Sequence, residues 1–370
     1  MPRIIAARRT AVVPRGGKFA LLEPHHLARP VIEACLADAA LDASDVGELI
    51  LSNALGGGGN PARIAALAAG LPERVAGLSI DRQCAGGLDA ILLAHALIDA
   101  GMHEVVIAGG AESYSRRPLR SRTFADGRPP VPYDQARFTP WAERDPDMAK
   151  AADILARTLD LTQGTQDAWA QRSHARARAH ADKRQAEIVP VEGVTEDAFT
   201  RDLTDRHCQR AKTVTGSITA ANMAVAADAA AFVVVVSDRV ATRLQKGGMT
   251  LAQGVTLGAT PDQPGLAPVP AIREVLRRQG LQPNDLQRAE IMEAFAVQAL
   301  ACVTNAQLEP DIVNPAGGAL AQGHPVGASG AILAAKLFHA LRMGDGPALA
   351  AIAAAGGLGT AALFEAVDPD

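Results

Sequence analysis

Residues 40–46 read ALDASDV, and they end a helical pattern just before an apolar strand pattern at Glu48–Leu51. Residues 280–286 read GLQPNDL and hold the same place, about 240 residues further along the chain. A second pair, GLDA at 87–90 and ASGA at 328–331, has nearly the same separation. Similarity at a constant spacing is the signature of a repeated structural unit. The sequence therefore predicts two similar halves.

The predicted first half alternates short apolar runs with amphipathic helices. The runs predict strands at Ile4–Ala6, Glu48–Leu51, Val75–Asp81 and Val105–Ala108, and helices at Leu27–Ala40, Pro61–Ala69 and Cys84–Ala100. Such alternation is typical of an α/β protein in which helices cover a buried sheet. The predicted fold class is α/β.

The segment 114–213 differs in character from both halves. It holds both tryptophans and both tyrosines of the chain, together with prolines at 129, 130 and 132. We interpret it as an inserted loop domain, after which the first sheet resumes at Phe232–Val236. The predicted N-terminal half is therefore 1–113 with 214–245, the insertion is 114–213, and the C-terminal half is 246–370.

Composition and charge exclude several classes of protein. The chain is 48% hydrophobic and 21% charged, enough to bury one large core or two modest ones. Its net charge of −4 gives no reason to expect a nucleic-acid or membrane partner. The long apolar run Ala348–Phe364 is interrupted by Gly356, Gly357 and Gly359, so it predicts strand, turn and strand instead of a membrane span.

The four cysteines, at 35, 84, 208 and 302, lack the paired spacing of a zinc site or a disulfide framework. The histidines show no metal-type pattern either, and no metal is expected. Unpaired cysteines are typical of a reducing compartment. The apolar part of the N-terminal segment is too short for a signal peptide. We therefore expect a cytoplasmic protein.

The block SIDRQCAGGLDAI at 79–91 places Cys84 between a polar strand end and a glycine-rich helix start. A helix N-terminus stabilises a thiolate and lowers the thiol pKa. Gly86 and Gly87 leave the backbone bare, so main-chain N–H groups could hold a substrate carbonyl. The alternative is that Cys84 is a small buried hydrophobic residue. Local sequence leaves both interpretations open.

The block VNPAGGALAQGHPVGASGA at 313–331 carries the second chemical signal. His324 is its one side chain able to move a proton near neutral pH. A tight turn with a hydrogen-bonded histidine would also explain the block. If the duplication holds, His324 precedes the helix equivalent to that of Cys84, and the two helix starts could face one pocket.

These blocks and three further motifs make the whole chain resemble the thiolase family. The further motifs are RTA at 9–11, GNPAR at 59–63 and AGGAES at 108–113. The resemblance implies a duplicated five-layered α/β/α/β/α fold, a homodimer or a dimer of dimers, and acyl-coenzyme A substrates with no separate cofactor. It also implies that Cys84 accepts the acyl group, that His324 activates it, and that N–H groups of Cys84 and of the loop at Ala355 and Gly356 form an oxyanion hole.

The departures from the family fall mainly on one half of its reaction. Thiolases carry a second cysteine as the base for condensation, where this chain has Ala353, and their Asn-Glu-Ala-Phe motif begins here with Met292. The thioether of methionine is a weak acceptor that cannot anchor the water which the asparagine holds in the family. Glu293 or Asp147 could supply a replacement base.

Coenzyme A contacts are expected at Met148 and Ala224, which align with a His-Met-Gly segment and an Asn-Ala-Ser-Gly segment of the family, and at Arg210 in the basic end of the insertion.

The sequence thus predicts an acyltransferase that forms an acyl-Cys84 thioester from acyl-coenzyme A or an acyl carrier protein. Because the condensation apparatus is damaged, we expect an acceptor that needs no such base, either a decarboxylating thioester or an amine, alcohol or water. The alternative is a catalytically reduced partner subunit that only binds acyl-coenzyme A or an acyl carrier protein. Retention of both Cys84 and His324 argues against it.

Overall fold

The computed structural model describes residues 1–369. The strands are β1 (Arg3–Thr10), β2 (Val13–Pro14), β3 (Glu48–Ser52), β4 (Leu78–Ile80), β5 (Val105–Glu112), β6 (Arg120–Arg122), β7 (Val131–Tyr133), β8 (Ile188–Val189), β9 (Thr213–Thr215), β10 (Ile218–Thr219), β11 (Ala227–Val236), β12 (Gly248–Gly258), β13 (Arg288–Ile291), β14 (Ala348–Ala354) and β15 (Leu358–Val367). The helices are α1 (Pro24–Ala39), α2 (Pro61–Ala68), α3 (Gly86–Asp99), α4 (Met148–Thr158), α5 (Gln163–Ala179), α6 (Asp205–Arg210), α7 (Asp238–Leu244), α8 (Pro268–Gln279), α9 (Ala296–Asn305), α10 (Ala319–Gln322) and α11 (Ser329–Ala340).

The main strands follow the order β13-β14-β15-β12-β1-β11-β5-β3-β4. The first four strands of this order belong to the second half and the last five to the first half. Outward from the junction of β12 and β1, the second half has the order β12-β15-β14-β13 and the first half has the order β1-β11-β5-β3-β4, so the two half-sheets are nearly symmetric. There the two half-sheets meet through the pairing of Ile4 with Met249. In the first half β3 is parallel to β5, and in the second β13 is parallel to β14. The topology confirms the predicted duplication.

The repeated turns that signalled the duplication have the same hydrogen bond. The N–H of Asp42 donates to Oδ2 of Asp45 at 2.9 Å, and the N–H of Gln282 donates to Oδ2 of Asp285 at 2.7 Å. Each turn follows a helix, α1 or α8, that ends at a residue in the left-handed conformation. Both turns then lead directly into a buried strand, β3 or β13.

Helices and half-sheets stack in five layers. In β11, Phe232 and Val234 belong to the core formed with α1 and α2, whereas Val233 and Val235 belong to the core formed with α3 and α11. This alternation follows from the two-residue period of a strand. The far face of the second half-sheet packs against α8 and α9. The order α1/α2, sheet, α3/α11, sheet, α8/α9 is the α/β/α/β/α arrangement expected from the resemblance.

The central helices α3 and α11 cross at glycines. A Cβ on Gly330 would lie 2.4 Å from the N of Leu88, and a Cβ on Gly87 would lie 2.7 Å from the N of Ala331. Contacts under 3.0 Å are not tolerated by real Cβ atoms, so this crossing needs glycine on both helices. The close crossing brings the N-terminal ends of α3 and α11 together.

Most predicted elements of the first half are confirmed, with two shorter than expected. The predicted helix Cys84–Ala100 is α3, which begins at Gly86 after a 3₁₀ turn at Gln83–Ala85. The strand predicted at Val75–Asp81 is the shorter β4, Leu78–Ile80. The apolar run near the C-terminus is the hairpin of β14 and β15, as predicted. Among residues 1–369, no helix has both the length and the apolarity that crossing a membrane requires.

Residues 114–213 carry α4, α5 and α6 with several short strands. The division of the chain into two halves and an insertion at the stated boundaries stays a prediction.

Candidate active site

Cys84 lies in the 3₁₀ turn that precedes α3. The residue before it, Gln83, has a φ of 50°, a conformation that non-glycine residues adopt infrequently. Asp81 holds this turn, because its Oδ1 accepts the N–H of Gln83 at 2.8 Å. The helix start packs closely at Gly86, since a Cβ there would lie 2.1 Å from Oγ and 3.0 Å from Cβ of Ser52 at the end of β3. Local backbone geometry therefore fixes the position of the thiol.

His324 reaches the same place from the second half of the chain. The backbone N–H of His324 donates to the carbonyl of Val225 at 2.7 Å, and this bond joins the segment before α11 to the segment before β11. Its Nε2 lies 3.1 Å from Sγ of Cys84. The histidine and the cysteine, 240 positions apart, thus form a hydrogen-bonded pair.

The other ring nitrogen of His324 determines which tautomer is present. Nδ1 lies 2.7 Å from Oγ of Ser329, and the Ser329 hydroxyl donates to the carbonyl of Pro325 at 2.9 Å. Because the hydroxyl proton is already donated to Pro325, Oγ of Ser329 accepts a hydrogen bond from the N–H at Nδ1 of His324. Nε2 is then unprotonated and can accept the thiol proton of Cys84.

The cysteine–histidine pair is neutral at rest. Burial, together with smaller effects of the nearby Glu112 and Asp81 carboxyl groups, raises the pKa of the Cys84 thiol to about 12. Burial also lowers the pKa of His324 to about 4. The expectation of a lowered thiol pKa is therefore wrong. The positive helix end does not compensate for the loss of water around the thiolate.

Glu112, at the end of β5, ties the two halves together close to this pair. Its carboxylate accepts the N–H groups of Ala54 and Gly327, each at 3.0 Å, and the side-chain amide of Asn53 at 2.7 Å. Burial raises the pKa of Glu112 to about 7, although its N–H donors favour the charged form. Gly327 belongs to the turn before α11, so this carboxyl group positions the start of that helix against the first half.

Cys84 and His324 both line a cavity of about 520 Å³. That volume is within the range of about 300–1,000 Å³ typical of small-molecule sites. Its wall is largely apolar and includes Phe138, Leu155 and Phe295. The pair therefore faces a space in which an organic substrate can bind next to the thiol.

The loop between β14 and β15 supplies another part of the wall. Ala353 and Ala355 line the cavity, and Gly356 follows with a φ of 81° but does not line it. Gly357 has a φ of 76°, and a Cβ on it would lie 2.7 Å from the carbonyl oxygen of Ala259. The structure thus places Ala353, the position at which the resemblance predicts a missing second cysteine, in the cavity wall.

Met292 and Glu293 lie outside the cavity wall. Met292 is 2% exposed and belongs to the core around α3 and α11. The carboxylate of Glu293 accepts the indole N–H of Trp169 at 3.0 Å and the hydroxyl of Ser173 at 2.7 Å, both from α5. The geometry gives Glu293 a structural contact with the insertion, with no path to a substrate at Cys84.

The expected coenzyme A residues separate into two groups. Met148 and Ala224 line the cavity, whereas Arg210 lies exposed at the end of α6 and does not. Asp147 also lines the cavity, and its Oδ1 accepts the N–H groups of Ala149 at 3.0 Å and Lys150 at 3.1 Å. That carboxylate therefore caps α4, which occupies one of its oxygens.

Several residues at the site were missed by sequence reasoning. Ser329 and Glu112 orient the pair, and Arg15 and Tyr114 line the cavity. The Glu112 position stood inside a recognised motif, and Ser329 stood inside the repeat, so both could have been proposed. Nothing local in the sequence indicates that Arg15 and Arg117 converge.

Within residues 1–369, no group of three or more histidine, cysteine, aspartate or glutamate side chains is arranged to hold a metal ion.

A duplicated α/β fold with a partly buried cysteine–histidine pair at the junction of its halves defines the class of this protein. Two family models match the chain, the thiolase N-terminal domain over residues 3–239 and the thiolase C-terminal domain over residues 246–366. The chain belongs to the thiolase family.

Individual relatives agree with this assignment. YhfS of Bacillus subtilis is 40% identical over 98% of each chain, and VraB of Staphylococcus aureus strain COL is 36% identical over 98% of each. Both names give an acetyl-CoA C-acetyltransferase and mark that activity as unproven.

Two solved structures have the same fold. Superposition gives a TM-score of 0.91 with the acetyl-CoA acetyltransferase of Bacillus anthracis, 31% identical, covering 99% of this chain and 98% of the other. It gives 0.91 with a thiolase of Ascaris suum in complex with coenzyme A, 28% identical, covering 99% of each chain.

Proposed function

We propose that this protein transfers acyl groups through a covalent thioester on Cys84 and passes them to an acceptor that needs no thiolase-type base. Membership of the thiolase family makes the chain an acyl-CoA acyltransferase. The observation that carries the proposal is the 3.1 Å contact between Sγ of Cys84 and Nε2 of His324. The intermediate and the acceptor are the parts proposed here.

In the first half-reaction His324 acts as the base. Its Nε2 takes the proton of the Cys84 thiol as Sγ attacks the thioester carbonyl carbon. The N–H groups of Cys84 and Ala355 stabilise the oxyanion. The carbonyl re-forms as the bond to the coenzyme A sulfur breaks, and His324 returns its proton to that sulfur. Acyl-Cys84 and free coenzyme A are the products.

The second half-reaction lacks its usual base. Ala353 offers a methyl group to the cavity, and Glu293 is held by α5 outside it. Asp147 lines the cavity, but one of its oxygens caps α4. A general base contributes typically about 10²–10⁴-fold. Either a decarboxylating thioester, which forms its carbanion by losing carbon dioxide, or an amine, alcohol or water therefore suits this site better than acetyl-coenzyme A.

Coenzyme A is the proposed carrier of the acyl group. The Ascaris thiolase with the same fold binds it, and Met148 and Ala224 line the cavity of this chain. Arg210 stays a proposed phosphate contact from the exposed end of α6. An acyl carrier protein is the other carrier to be compared, because both present the same pantetheine thioester.

The protein is proposed to act in the cytoplasm as a homodimer or a dimer of dimers. Its four cysteines are free, which suits a reducing compartment. The edge strand β4 ends the sheet order with Leu78 40% exposed, and an open strand edge can pair with a second copy. Light scattering at micromolar concentration should give at least a dimer, and a monomer would contradict this assembly.

The decisive experiment separates the two half-reactions. Intact-protein mass spectrometry after mixing with a panel of acyl-coenzyme A thioesters should show one acyl group, mapped by peptide analysis to Cys84. Acetoacetyl-coenzyme A synthesis and thiolysis should be slow, and Ala353→Cys with Met292→Asn should raise thiolysis. Acylation at another cysteine would contradict the assignment of Cys84 as the nucleophile, and no acylation by any thioester would favour a subunit that only binds. Wild-type thiolysis at an ordinary rate, about 1–10³ per second, would show that another base acts.

A further inference from the structure

One wall of the cavity that holds Cys84 and His324 carries two arginines around a tyrosine ring. The guanidinium carbon of Arg117 lies 4.7 Å from the centre of the Tyr114 ring, and that of Arg15 lies 5.8 Å from it. All three side chains line the cavity. A cation near an aromatic face is stabilised by the negative potential of the ring. The tyrosine therefore gathers two positive charges at one place.

The two segments that carry these side chains are tied together by the buried Asp228. Its Oδ1 accepts the N–H of Ser115 at 2.9 Å, and its Oδ2 accepts the Ser115 hydroxyl at 2.5 Å. Oγ of Ser115 in turn accepts the N–H of Gly16 at 2.9 Å. The N–H of Arg15 donates to the carbonyl of Ala226 at 2.8 Å. The backbone on both sides of the ring is thus fixed without a ligand.

The positive charge of this wall is weakly compensated within residues 1–369. Nη2 of Arg117 lies 3.0 Å from Oδ1 of Asp134, whose side chain is 89% exposed. An ion pair with such an exposed carboxylate contributes little and exchanges readily. Arg15 forms no salt bridge in the described part of the chain, although its charge also acts on the carboxyl group of Asp228. Arg120 also lines the cavity, but its guanidinium donates to the carbonyl of Ala54 at 3.1 Å.

We propose that Arg15 and Arg117 bind the free carboxylate of a dicarboxylic acyl thioester whose thioester carbonyl lies at Cys84. The planar guanidinium group matches a carboxylate in shape and charge. The carboxylate of Asp134 already lies 3.0 Å from the guanidinium group of Arg117, and a substrate carboxylate would replace it there. This inference rests on the proposed function, because it names the acyl group that Cys84 accepts.

The test compares acyl groups of equal length with and without the terminal carboxylate. Succinyl, glutaryl and adipyl thioesters are paired with butanoyl, pentanoyl and hexanoyl thioesters, each carried on coenzyme A and on N-acetylcysteamine. The measured quantity is the single-turnover rate constant for acylation of Cys84, followed by mass spectrometry. We expect wild type to favour at least one dicarboxylic member over its neutral partner on both carriers. Arg15→Ala and Arg117→Ala should each reduce that preference about tenfold or more.

Arg116→Ala is the matched control. Arg116 is the sequence neighbour of Arg117, but it pairs with Glu23 at 3.3 Å and does not line the cavity. Its removal changes the net charge by the same amount as Arg117→Ala. It should leave the preference for the dicarboxylic thioester unchanged, which separates a local contact from a general effect of charge.

Two results would overturn the assignment. One is a wild-type enzyme with no preference for any dicarboxylic member. The other is a fall in the acylation rate constant of the Arg15→Ala and Arg117→Ala variants that is equal for neutral and dicarboxylic acyl groups and occurs only with the coenzyme A thioesters. That result would assign the arginines to the coenzyme A phosphates. Equilibrium binding of the same coenzyme A pairs to Cys84→Ala measures the preference without acylation. If no thioester acylates wild type, the proposed function is contradicted. The ratio of the affinities of Cys84→Ala for the dicarboxylic and the neutral thioester still shows whether the arginines bind a carboxylate.

Discussion

The starts of α3 and α11 occupy equivalent places in the two halves, but they contribute different chemical groups to the site. The turn before α3 presents the thiol of Cys84, whereas the turn before α11 presents the bare backbone of Gly327. A Cβ on Gly327 would lie 2.8 Å from the carbonyl oxygen of Ser52 and 3.0 Å from Oε2 of Glu112. The second half thus provides close packing and, from just upstream, His324. Duplication supplies the scaffold, and a few unequal positions supply the chemistry.

Removing the thiol at the first helix start should have the largest effect. Cys84→Ala is expected to abolish acyl-enzyme formation, because no other group at the site can form the thioester. The mass increase after incubation with acyl-coenzyme A measures this. Cys208→Ala and Cys302→Ala should keep the mass increase, since both residues are buried and neither lines the cavity. Labelling that persists in Cys84→Ala would assign the nucleophile elsewhere.

Removing the base contributed by the second half should have the next largest effect. His324→Ala is expected to slow acylation of Cys84 by about 10²–10⁴-fold, the usual contribution of a general base. Ser329→Ala should cause a smaller loss, because it removes the acceptor that fixes the tautomer and keeps the imidazole. Single-turnover mass spectrometry gives both rate constants. Equal rates in wild type and His324→Ala would contradict the role of the histidine.

Widening the crossing between the two helices should cost stability. Gly330→Ala introduces a Cβ 2.4 Å from the N of Leu88, so we expect a loss of about 1–3 kcal/mol in the free energy of unfolding. Gly258→Ala is the control, because a Cβ there meets no atom within 4 Å. Urea denaturation compares the two variants. A Gly330→Ala protein as stable as Gly258→Ala would show that the crossing is loosely packed.

The smallest expected effect is in the pH dependence of thiol reactivity. With the thiol pKa raised to about 12 and the His324 pKa lowered to about 4, the pair is neutral at pH 7. Alkylation by iodoacetamide needs the thiolate, so its rate should rise continuously from about pH 6 to about pH 9. A plateau beginning near neutral pH would instead indicate a thiolate–imidazolium pair, and would restore the expectation drawn from the helix N-terminus.

The sequence was most informative where a local pattern repeats. The turns ending at Asp45 and Asp285, the alternating apolar residues of β11 and the glycines beside Cys84 all have local physical causes. The duplicated α/β fold and the proximity of Cys84 and His324 could therefore be predicted. The start of α3 was misplaced because nothing in a glutamine side chain signals the left-handed backbone of Gln83.

Contacts between residues far apart in the sequence could not be predicted. Glu293 stands in a motif associated with the active site, yet its partners Trp169 and Ser173 come from a helix more than 100 positions away. Arg15 and Arg117 likewise meet at Tyr114 only through the path of the folded chain. The balance between burial and the helix dipole at Cys84 also depends on how completely water is excluded, which a sequence pattern does not encode.

The alanine at position 353 has a consequence for oxidation chemistry. Cys84 is the one cysteine that lines the cavity in the described part of the chain, and Cys35, Cys208 and Cys302 are buried elsewhere. An oxidised cysteine passes through a sulfenic acid, which is protected from further oxidation when a neighbouring thiol condenses with it to a disulfide. With alanine at position 353, oxidised Cys84 is protected by a small thiol that enters the cavity or by condensation with a backbone nitrogen. Without either, a further equivalent of oxidant converts it to the irreversible sulfinic acid.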